Sequence, residues 1–434
     1  MESIWEKDVP YVQFEALKGN INTDVLIIGG GIAGILCAYK LQSAGIDCAL
    51  VEAANICSGI TKNTTAKITL CHGLIYDKMI KRLGKDKTKL YAEAQMDAIK
   101  EYTRLCRDID CNFENRDSYI YSLNNQKKIE KEIEALNRIG VKAEFSDALE
   151  LPFDVAGAVL VKNQAQFHPL KFIYTIAKDL PIYEDTKVVE LMPHTAITNH
   201  GKISYQKLII ATHFPILNKH GLYPLKLYQH RSYVLGIKGA QKVSGMYVDE
   251  SDKGLSFRSY DDFLLLGGGG HRTGKQGGGW QELETFVNKH YSDAKIVGKW
   301  ATQDCMTLDD IPYIGPYSKS TPDVYVATGF NKWGMTNALV AANILCDLVQ
   351  EKENPYSTVF SPSRTMLRPQ LAINIFESTI GLLTPTVPRC PHLGCALKYN
   401  SAEHTWDCPC HGSRFGGHGQ LIDNPATDEH PSIQ

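Results

Sequence analysis

The feature that most constrains the fold is a glycine-rich segment near the start of the chain, DVLIIGGGIAGILCAYKLQSAGIDCALVE at residues 24–52. It predicts a buried strand, a turn, a helix and a second buried strand, with Gly29, Gly31 and Gly34 at G-x-G-x-x-G spacing. The first glycine permits the turn, the second lets the backbone approach a pyrophosphate, and the third lets helix and strand pack closely. Glu52 ends the second strand, where its carboxylate can bind ribose hydroxyls and would repel a 2'-phosphate. The segment therefore predicts a dinucleotide site that disfavours NADP.

Length and charge set limits on the rest of the chain. Its 434 residues suit about two or three domains, and a net charge of -2 gives no electrostatic case for nucleic acid or an anionic membrane. Residues 1–17 carry acids where a signal peptide needs basic residues. No run of about 18 uncharged apolar residues occurs. We therefore predict a soluble, cytoplasmic protein without a membrane span.

The segments after Glu52 are predicted to return repeatedly to the first sheet. In the polar loop at residues 57–69, the hydroxyls of Thr61, Thr64 and Thr65 can serve a phosphate or a flavin, or can satisfy the loop's own backbone. A later strand is predicted to place Val188 beside an adenine, and another ends at Ala211 and Thr212. Strands between about 220 and 300 indicate an antiparallel sheet inserted between these visits.

A glycine cluster at residues 267–279 requires a separate decision. Residues 269–275 fit G-x-x-x-x-G-K, but the next residue is Gln276, so the hydroxyl that binds magnesium in a nucleotide-triphosphate loop is missing. We reject a triphosphate site there. The remaining interpretations are a substrate or flavin loop carrying His271 and Arg272, or a structural loop.

A second strand, glycine turn and helix are predicted in VYVATGFNKWGMTNALVAANILCDLV, residues 324–349. The turn and helix start hold Gly329, Gly334, Met335 and Thr336. A helix N-terminus in this place can stabilise negative charge on a reduced flavin ring. A purely structural glycine turn fits the same residues.

Taken in order, GGGIAG, the acid after the second strand, IIATHFP, IPYIG and VATGFNKWGM resemble the D-amino-acid-oxidase-like family of FAD oxidoreductases over about residues 22–350. The resemblance implies an α/β fold with a Rossmann-like FAD-binding domain and an interleaved antiparallel-sheet substrate domain. It places FAD-binding parts at about 22–80, 155–215 and 310–350, and substrate parts at about 85–150 and 220–305. Bound FAD would take hydride from a small amine or amino-acid-like substrate. Cys305 does not fall in register for a covalent flavin bond, so we predict noncovalent FAD.

The predicted substrate pocket combines aromatic side chains with cations that could clamp a carboxylate. Each of these side chains is also a plausible structural residue. The candidates are Arg231, Tyr233, Arg258, Tyr260 and His271.

The end of the chain carries a cysteine and histidine cluster, CPHLGC at residues 390–395 and CPCHGS at 408–413. Two cysteines and two histidines at this spacing can hold zinc, but two extra cysteines at matching places argue against it. The cluster resembles a respiratory-type Rieske [2Fe-2S] domain at residues 389–434, joined by a connector at 351–388. Carried over by position, Cys390 and Cys408 would hold one iron and His392 and His411 the other. The resemblance also implies a disulfide between Cys395 and Cys410.

Two further positions bear on the redox potential of this cluster. Ser413 matches a residue whose hydroxyl bonds a cluster sulfur, while Phe415 stands where the respiratory proteins have a tyrosine. Because one hydrogen bond is then absent, we predict a potential below theirs, within the range of roughly -150 to +300 mV for such centres.

The leading functional hypothesis is an oxidoreductase in which FAD accepts hydride and releases electrons singly through the Rieske cluster to an external acceptor, a protein or a small molecule. A Rieske oxygenase would need a separate mononuclear iron held by two histidines and a carboxylate, and the sequence shows no such constellation. A nonenzymatic redox sensor or electron-transfer module is the alternative from another class. It would show no substrate turnover.

Overall fold

The computed structural model describes residues 3–7, 9–217, 220–251, 253–385 and 388–430. Its α-helices are α1 (Ile32–Ser43), α2 (Tyr76–Leu83), α3 (Lys85–Leu105), α4 (Gln126–Arg138), α5 (Pro169–Ala177), α6 (Tyr223–Lys226), α7 (Gly279–His290), α8 (Gly334–Val349), α9 (Ser357–Phe360) and α10 (Pro369–Leu383). Short 3-10 helices lie at Ile4–Glu6 and Ile60–Asn63.

The strands form three separate sheets. In chain order they are β1 (Ile21–Ile28), β2 (Cys48–Val51), β3 (Lys67–Ile68), β4 (Glu114–Ser122), β5 (Glu144–Ser146), β6 (Gly157–Gln166), β7 (Ile182–Tyr183), β8 (Val188–Met192), β9 (Thr195–Thr198), β10 (Lys202–Ile210), β11 (Leu227–Lys238), β12 (Met246–Asp249), β13 (Ser256–Tyr260), β14 (Phe263–Arg272), β15 (Lys295–Thr307), β16 (Tyr313–Ser318), β17 (Thr321–Thr328), β18 (Lys398–Asn400), β19 (Thr405–Asp407), β20 (Arg414–Phe415) and β21 (Leu421–Asp423).

The first sheet carries the predicted dinucleotide fold. Its strand order is β16-β17-β10-β1-β2-β7, with β9 and β8 added beside β10. Strand β1 pairs in parallel with both β2 and β10. Its last four residues are buried, with Val25 and Ile27 in one hydrophobic cluster and Leu26 and Ile28 in another. Helix α8 packs against α1. The carboxyl ends of β1, β2, β10 and β17 therefore point to one edge, where ligands bind in this class of sheet.

The second sheet has nine strands in the order β15-β11-β14-β13-β12-β4-β6-β3, with β5 on β6. It confirms the interleaved two-part fold, with one difference from the predicted limits: β3 and β6 fall in ranges predicted for FAD binding but pair in this sheet. The loop predicted to carry His271 and Arg272 is wrong, because both residues lie within β14, where Gly267 to Gly270 precede them. There these glycines permit close packing, since a Cβ on Gly268 would lie 2.6 Å from Leu255 Cδ2.

The C-terminal region has its own antiparallel sheet in the order β18-β19-β20-β21, lying between and after the two cluster loops. The segment before it, predicted as a connector, contains the 15-residue helix α10. This helix turns Asn374 and Gly381 inward and exposes large apolar side chains, namely Ile373, Ile375, Phe376, Ile380, Leu382 and Leu383. Among the described residues, none of the helices has the length and apolar character needed to cross a bilayer.

Candidate functional site

A cavity of about 910 Å³ opens at the carboxyl edge of the first sheet and extends to the second sheet. Twelve of the fourteen predicted cofactor residues line it: Gly29, Gly31, Glu52, Thr61, Thr64, Thr65, Val188, Ala211, Thr212, Gly329, Gly334 and Met335. The other two, Gly34 and Thr336, lie behind its wall. Segments far apart in the sequence therefore meet around one space of the size used by cofactors and drug-like ligands.

The three fingerprint glycines each have a distinct steric reason. Gly29 has a φ of 111°, and a Cβ there would lie 2.7 Å from the Ala211 carbonyl oxygen. A Cβ on Gly34 would lie 2.0 Å from the Gly29 carbonyl oxygen. At Gly31 the nearest atom would be Thr61 Oγ1 at 3.5 Å, so this side of the helix start is open. The open N-terminus of α1 suits a pyrophosphate.

Glu52 lies at the end of β2 as the sequence predicts. Its carboxylate accepts hydrogen bonds from the Gly30 amide at 2.7 Å and the Ala54 amide at 3.0 Å. Burial raises the pKa of Glu52, and these two backbone bonds oppose the rise. The carboxylate is thus fixed at the cavity wall, where a ribose can reach it.

The second glycine turn is held against the rest of the site by side chains. Gly329 has a φ of 71°, and a Cβ there would lie 2.2 Å from Thr307 Cγ2. Behind the start of α8, Thr336 Oγ1 lies 3.1 Å from His72 Nε2. The His72 ring stacks on Trp333, which lines the cavity, with ring centroids 5.0 Å apart. Thr336 therefore positions the helix start instead of lining the cavity.

The second sheet supplies the opposite wall of the cavity. Thr302, Asp304 and Met306 alternate along β15 and all line it, as expected for one face of a strand. Burial raises the pKa of Asp304 to about 6, against the lowering effect of Lys332 and Arg231. Burial lowers the pKa of Lys67, another lining residue, to about 7. Both groups can exchange protons near neutral pH.

Two of the predicted pocket residues form contacts outside the cavity lining. The Nε of Arg231 donates to Glu403 Oε1 at 3.0 Å, so its guanidinium binds a carboxylate of the C-terminal domain. Arg258 is buried and donates to the Thr65 and Ala66 carbonyl oxygens at 2.6 and 2.7 Å. The cations among the described lining residues are instead lysines, namely Lys67, Lys78, Lys128, Lys187 and Lys332.

The three other predicted pocket residues are separated as well. Tyr233 lines the cavity, and its hydroxyl lies 3.0 Å from His271 Nε2. His271 Nδ1 lies 2.9 Å from the Arg272 carbonyl oxygen and does not line the cavity. Tyr260 packs against Trp5, with ring centroids 4.7 Å apart, away from the lining residues. The structure thus brings only Tyr233 of the five to the cavity surface.

The two cluster loops meet as the sequence predicts. Cys390, Cys395, Cys408 and Cys410 are all buried and pack into a small core with Phe415. The rings of His392 and His411 lie 4.9 Å apart. His411 Nδ1 is buried and has no hydrogen-bond partner among the described residues, as expected for a nitrogen reserved for a metal ion. Burial and the neighbouring His411 lower the pKa of His392 to about 4, which keeps its imidazole neutral.

The predicted disulfide is corrected by the structure. Cys395 and Cys410 are free thiols, and their Sγ atoms lie with Cys408 Sγ in one group within 4.8 Å. The expected arrangement was one bonded pair of sulfur atoms. The structure instead places three sulfur atoms close together without a bond between them. Ser413 Oγ accepts a hydrogen bond from the Ala426 amide at 3.0 Å, which leaves its own proton available for a sulfur atom.

The C-terminal domain is built into the flavoprotein part. Arg272 Nε donates to the Pro409 carbonyl oxygen at 3.2 Å, and Gln303 Nε2 donates to the Gly412 carbonyl oxygen at 2.9 Å. On the cavity side, Leu421 to Asn424, Ala426 and Thr427 are lining residues. One cavity is therefore bounded by the glycine fingerprint and by the domain that holds the cluster loops.

Comparison with protein families agrees with this geometry. Residues 24–348 match the family described as FAD dependent oxidoreductase. The chain belongs to the FAD-dependent oxidoreductase family. Residues 365–434 of this oxidoreductase match the Rieske [2Fe-2S] domain, which settles the zinc alternative in favour of an iron–sulfur cluster.

Three similar proteins extend this comparison. A Rieske 2Fe-2S iron-sulfur protein of Bacillus subtilis (strain 168), YhfW, is 34% identical, over 98% of this chain and 96% of its own. Gamma-glutamylputrescine oxidoreductase of Escherichia coli (strain K12) is 24% identical, over 78% of this chain and 86% of its own. The crystal structure of glycine oxidase from Geobacillus kaustophilus superposes with a TM-score of 0.66 at 18% identity, covering 80% of this chain and 99% of that one. The last of these shows the shared fold.

The residues present fit both cofactors. The open helix start at Gly31 and the carboxylate of Glu52 suit the pyrophosphate and ribose of FAD, which supplies hydride acceptance when bound. Two thiols and two imidazoles, including the buried, unbonded His411 Nδ1, suit a [2Fe-2S] cluster, which supplies one-electron transfer.

Sequence patterns alone did not identify several residues that face the site. Asp304, Lys67 and His213 line the cavity, and Glu403 binds Arg231. His213 directly follows the predicted pair Ala211 and Thr212, so its position after a buried strand was the available signal. No local signal was available for Glu403, because its partner Arg231 lies 172 residues away in the sequence.

Proposed function

We propose that this protein is an FAD-dependent dehydrogenase of a small amine or amino-acid-like substrate, and that it passes electrons singly through its Rieske cluster to an external one-electron acceptor. The twelve cysteines, eight of them outside the cluster loops, suit the reducing cytoplasm. The carrying observation is that the Rieske segment from Leu421 to Thr427 forms a wall of the cavity that holds the dinucleotide fingerprint. A two-electron site and a one-electron site thus share one wall.

Residues of the second sheet would handle the substrate. Asp304 is the lining carboxylate on the face of β15, and it is partly protonated near its pKa of about 6. As a carboxylate, it can hold a substrate amine or accept its proton before hydride transfer. Tyr233 provides an aromatic wall with its hydroxyl fixed by His271. A substrate carboxylate would meet lysine side chains, such as Lys67 in its protonated form, in place of the arginine clamp expected from sequence.

Related proteins support this substrate class without selecting one compound. The name gamma-glutamylputrescine oxidoreductase denotes action on gamma-glutamylputrescine, and the name glycine oxidase denotes action on glycine. A library of primary amines, secondary amines and amino acids is therefore the appropriate screen. Family likeness at these identities leaves the side-chain specificity to be measured.

The test is anaerobic rapid mixing of the holoenzyme with each compound. We expect the oxidised flavin absorbance to bleach first and the Rieske electron paramagnetic resonance signal to appear afterwards. A compound that bleaches flavin while the cluster stays oxidised, even with prolonged incubation, would refute internal transfer.

The same screen addresses the nonenzymatic sensor. A sensor predicts that none of the amines or amino acids reduces the flavin, while chemical reduction of the cluster changes binding to a partner. Turnover with an added one-electron acceptor, at a rate proportional to enzyme concentration, would exclude that alternative.

A further inference from the structure

One residue of the cavity wall combines a strained backbone with a position between the two cofactor sites. His213 follows β10 and has a φ of 65°, in the left-handed region that residues with a Cβ rarely adopt. It lines the cavity together with Ala211 and Thr212. Non-glycine residues persist in such a conformation only where surrounding contacts hold them, and these places are often functional.

The contacts that hold His213 come from the flavin side and from the substrate sheet. Its carbonyl oxygen accepts a hydrogen bond from the hydroxyl of Thr328, the residue immediately before the Gly329 turn where the flavin ring is predicted. Its Nε2 lies 3.1 Å from Oε1 of the buried Gln229. Gln229 in turn pairs across the sheet with Cys305, another lining residue.

The same contacts lead directly to the iron ligands. Gln229 packs on Gly412 so closely that a Cβ on that glycine would lie 2.1 Å from Gln229 Cγ. Gly412 follows the ligand His411 in the sequence. From the imidazole of His213, one hydrogen bond and one van der Waals contact therefore reach the second cluster loop.

The next residue gives a parallel contact to the cluster. The ring of Phe214 is fully buried, and it meets His392 and His411 edge-on, with centroid distances of 6.1 and 6.3 Å. Asn424 of the Rieske domain donates to the Phe214 carbonyl oxygen at 2.9 Å and also to that of Thr212. The segment from Thr212 to Phe214 thus lines the cavity through Thr212 and His213, and it contacts the predicted cluster ligands through Phe214.

Two other contacts between the flavoprotein part and the Rieske domain start away from the cavity. Arg231, which binds Glu403, and Arg272, which binds Pro409, are not among the lining residues of the cavity. The contacts of Phe214 and Gln229 with the cluster loops connect to the cavity wall through His213, which lines the cavity, precedes Phe214 in the chain and bonds Gln229.

We propose that His213 and Phe214, with Gln229, form the route by which electrons pass from the flavin to the iron held by His392 and His411. This inference rests on the proposed function. In each transfer one electron leaves the reduced flavin, one ferric iron becomes ferrous, and the accompanying proton passes to water in the cavity. The external one-electron acceptor then removes the electron from the cluster, so that the second transfer can follow. His213 acts as a positioning residue that holds Phe214 and Gln229 against the cluster loops.

The decisive variant is His213→Gly, because glycine adopts a φ of 65° without strain and the fold is therefore retained. The matched control is His194→Gly. His194 also has a positive φ, of 54°, but its side chain is 55% exposed and pairs with Asp323 away from the cavity. Phe214→Leu is a second variant, which keeps an apolar core residue and removes the aromatic edge contacts.

The flavin should be reduced photochemically, by light that the bound flavin itself absorbs and with EDTA as the electron donor, so that no substrate is needed and a failed substrate assignment cannot affect the result. We expect cluster reduction after the light pulse to slow at least about tenfold in His213→Gly and Phe214→Leu, equivalent to about 1.4 kcal/mol. In both variants, FAD content and the resonance spectrum of the chemically reduced cluster should match the wild type, and the measured cluster midpoint potential is used to correct each rate for its driving force. His194→Gly should transfer electrons at the wild-type rate.

Wild-type transfer rates in both His213→Gly and Phe214→Leu would overturn the route while leaving the proposed function intact. Slowing in His194→Gly as large as in His213→Gly would also overturn it, because a general effect of the glycine substitution would then explain the result. Failure of wild-type protein to reduce its cluster under light would instead refute internal transfer and with it the proposed function.

Discussion

The buried ion cluster between the substrate sheet and the Rieske domain gives the sharpest test of how the two parts are joined. Arg231 and Glu403 are 4% and 9% exposed in their side chains, and Arg414 binds Glu403, Asp407 and Asp423. Two guanidinium groups therefore face three carboxylates. Substitution Arg231→Met leaves those three carboxylates with Arg414 alone.

The expected loss follows from burial and geometry. Arg231 makes two charge-assisted hydrogen bonds to Glu403, each contributing about 1.5–3 kcal/mol. Removal of one partner from a buried pair costs about 3–5 kcal/mol, because the other charge stays buried. We expect Arg231→Met to lower the free energy of unfolding by that amount. Arg231→Lys should lose less, since it keeps the charge but not the bidentate geometry.

The change also has a pH signature. Burial by itself would raise the pKa of Glu403, but Arg231 and Arg414 outweigh it and hold the pKa below its ordinary value of 4.5. A carboxylate with a lowered pKa contributes stability above that ordinary value, and the contribution is lost as the pH falls through the folded-state pKa. Without Arg231 the pKa of Glu403 rises, so acid unfolding should begin at a higher pH in Arg231→Met.

The assay is urea unfolding at several pH values with linear extrapolation to water. The control is Lys162→Met, which breaks the solvent-exposed pair with Glu144 and should leave stability unchanged. A loss below about 1 kcal/mol in Arg231→Met, or an equal loss in the control, would refute the assignment of Arg231 to domain joining.

Four further predictions concern the cofactor sites. Gly34→Val should abolish FAD binding, measured by visible flavin absorbance of the purified protein, because even a Cβ would lie 2.0 Å from the Gly29 carbonyl oxygen; normal flavin content would contradict the close helix–strand packing. His392→Ala should lose the Rieske resonance signal yet retain FAD, and retention of the signal would exclude this ligand. Asp304→Asn should remove the bend near pH 6 from the profile of flavin reduction rate by an amine against pH. The carboxyl has a pKa of about 6, and only its ionised form accepts a proton. An unchanged profile would exclude that role. Phe415→Tyr should raise the cluster midpoint potential in a potentiometric titration. A hydroxyl in this buried cysteine core can donate a hydrogen bond to a cluster sulfur, which favours the reduced state. A lower potential would contradict this reasoning.

Local patterns were sufficient for the parts of the molecule that depend on short segments. The glycine fingerprint and Glu52 could be predicted because backbone sterics and strand order determine their spacing within residues 24–52. The meeting of the two cysteine and histidine loops could be predicted for a similar reason, since these short loops contain all four candidate ligands. Twelve of the fourteen predicted cofactor residues line the cavity.

The substrate side was predicted less well, because its residues depend on which face of a strand meets which domain. Arg231 and Arg258 have the chemistry of a carboxylate clamp, yet one binds Glu403 and the other binds backbone carbonyl groups. Asp304 was overlooked because a single acid in a strand gives no local sign of facing a cavity. Burial, rather than its neighbours in the sequence, gives this carboxyl its raised pKa.

The sequence by itself determined the two cofactor classes and the division into a flavoprotein part and an iron–sulfur part. The tertiary structure decided how these parts meet: Asn424 binds the backbone beside His213, Phe214 contacts the rings of His392 and His411, and Glu403 binds Arg231. These contacts join residues more than 170 positions apart, and each depends on the pairing of whole domains. No local pattern encodes such a contact, because its energy exists only once both surfaces have folded.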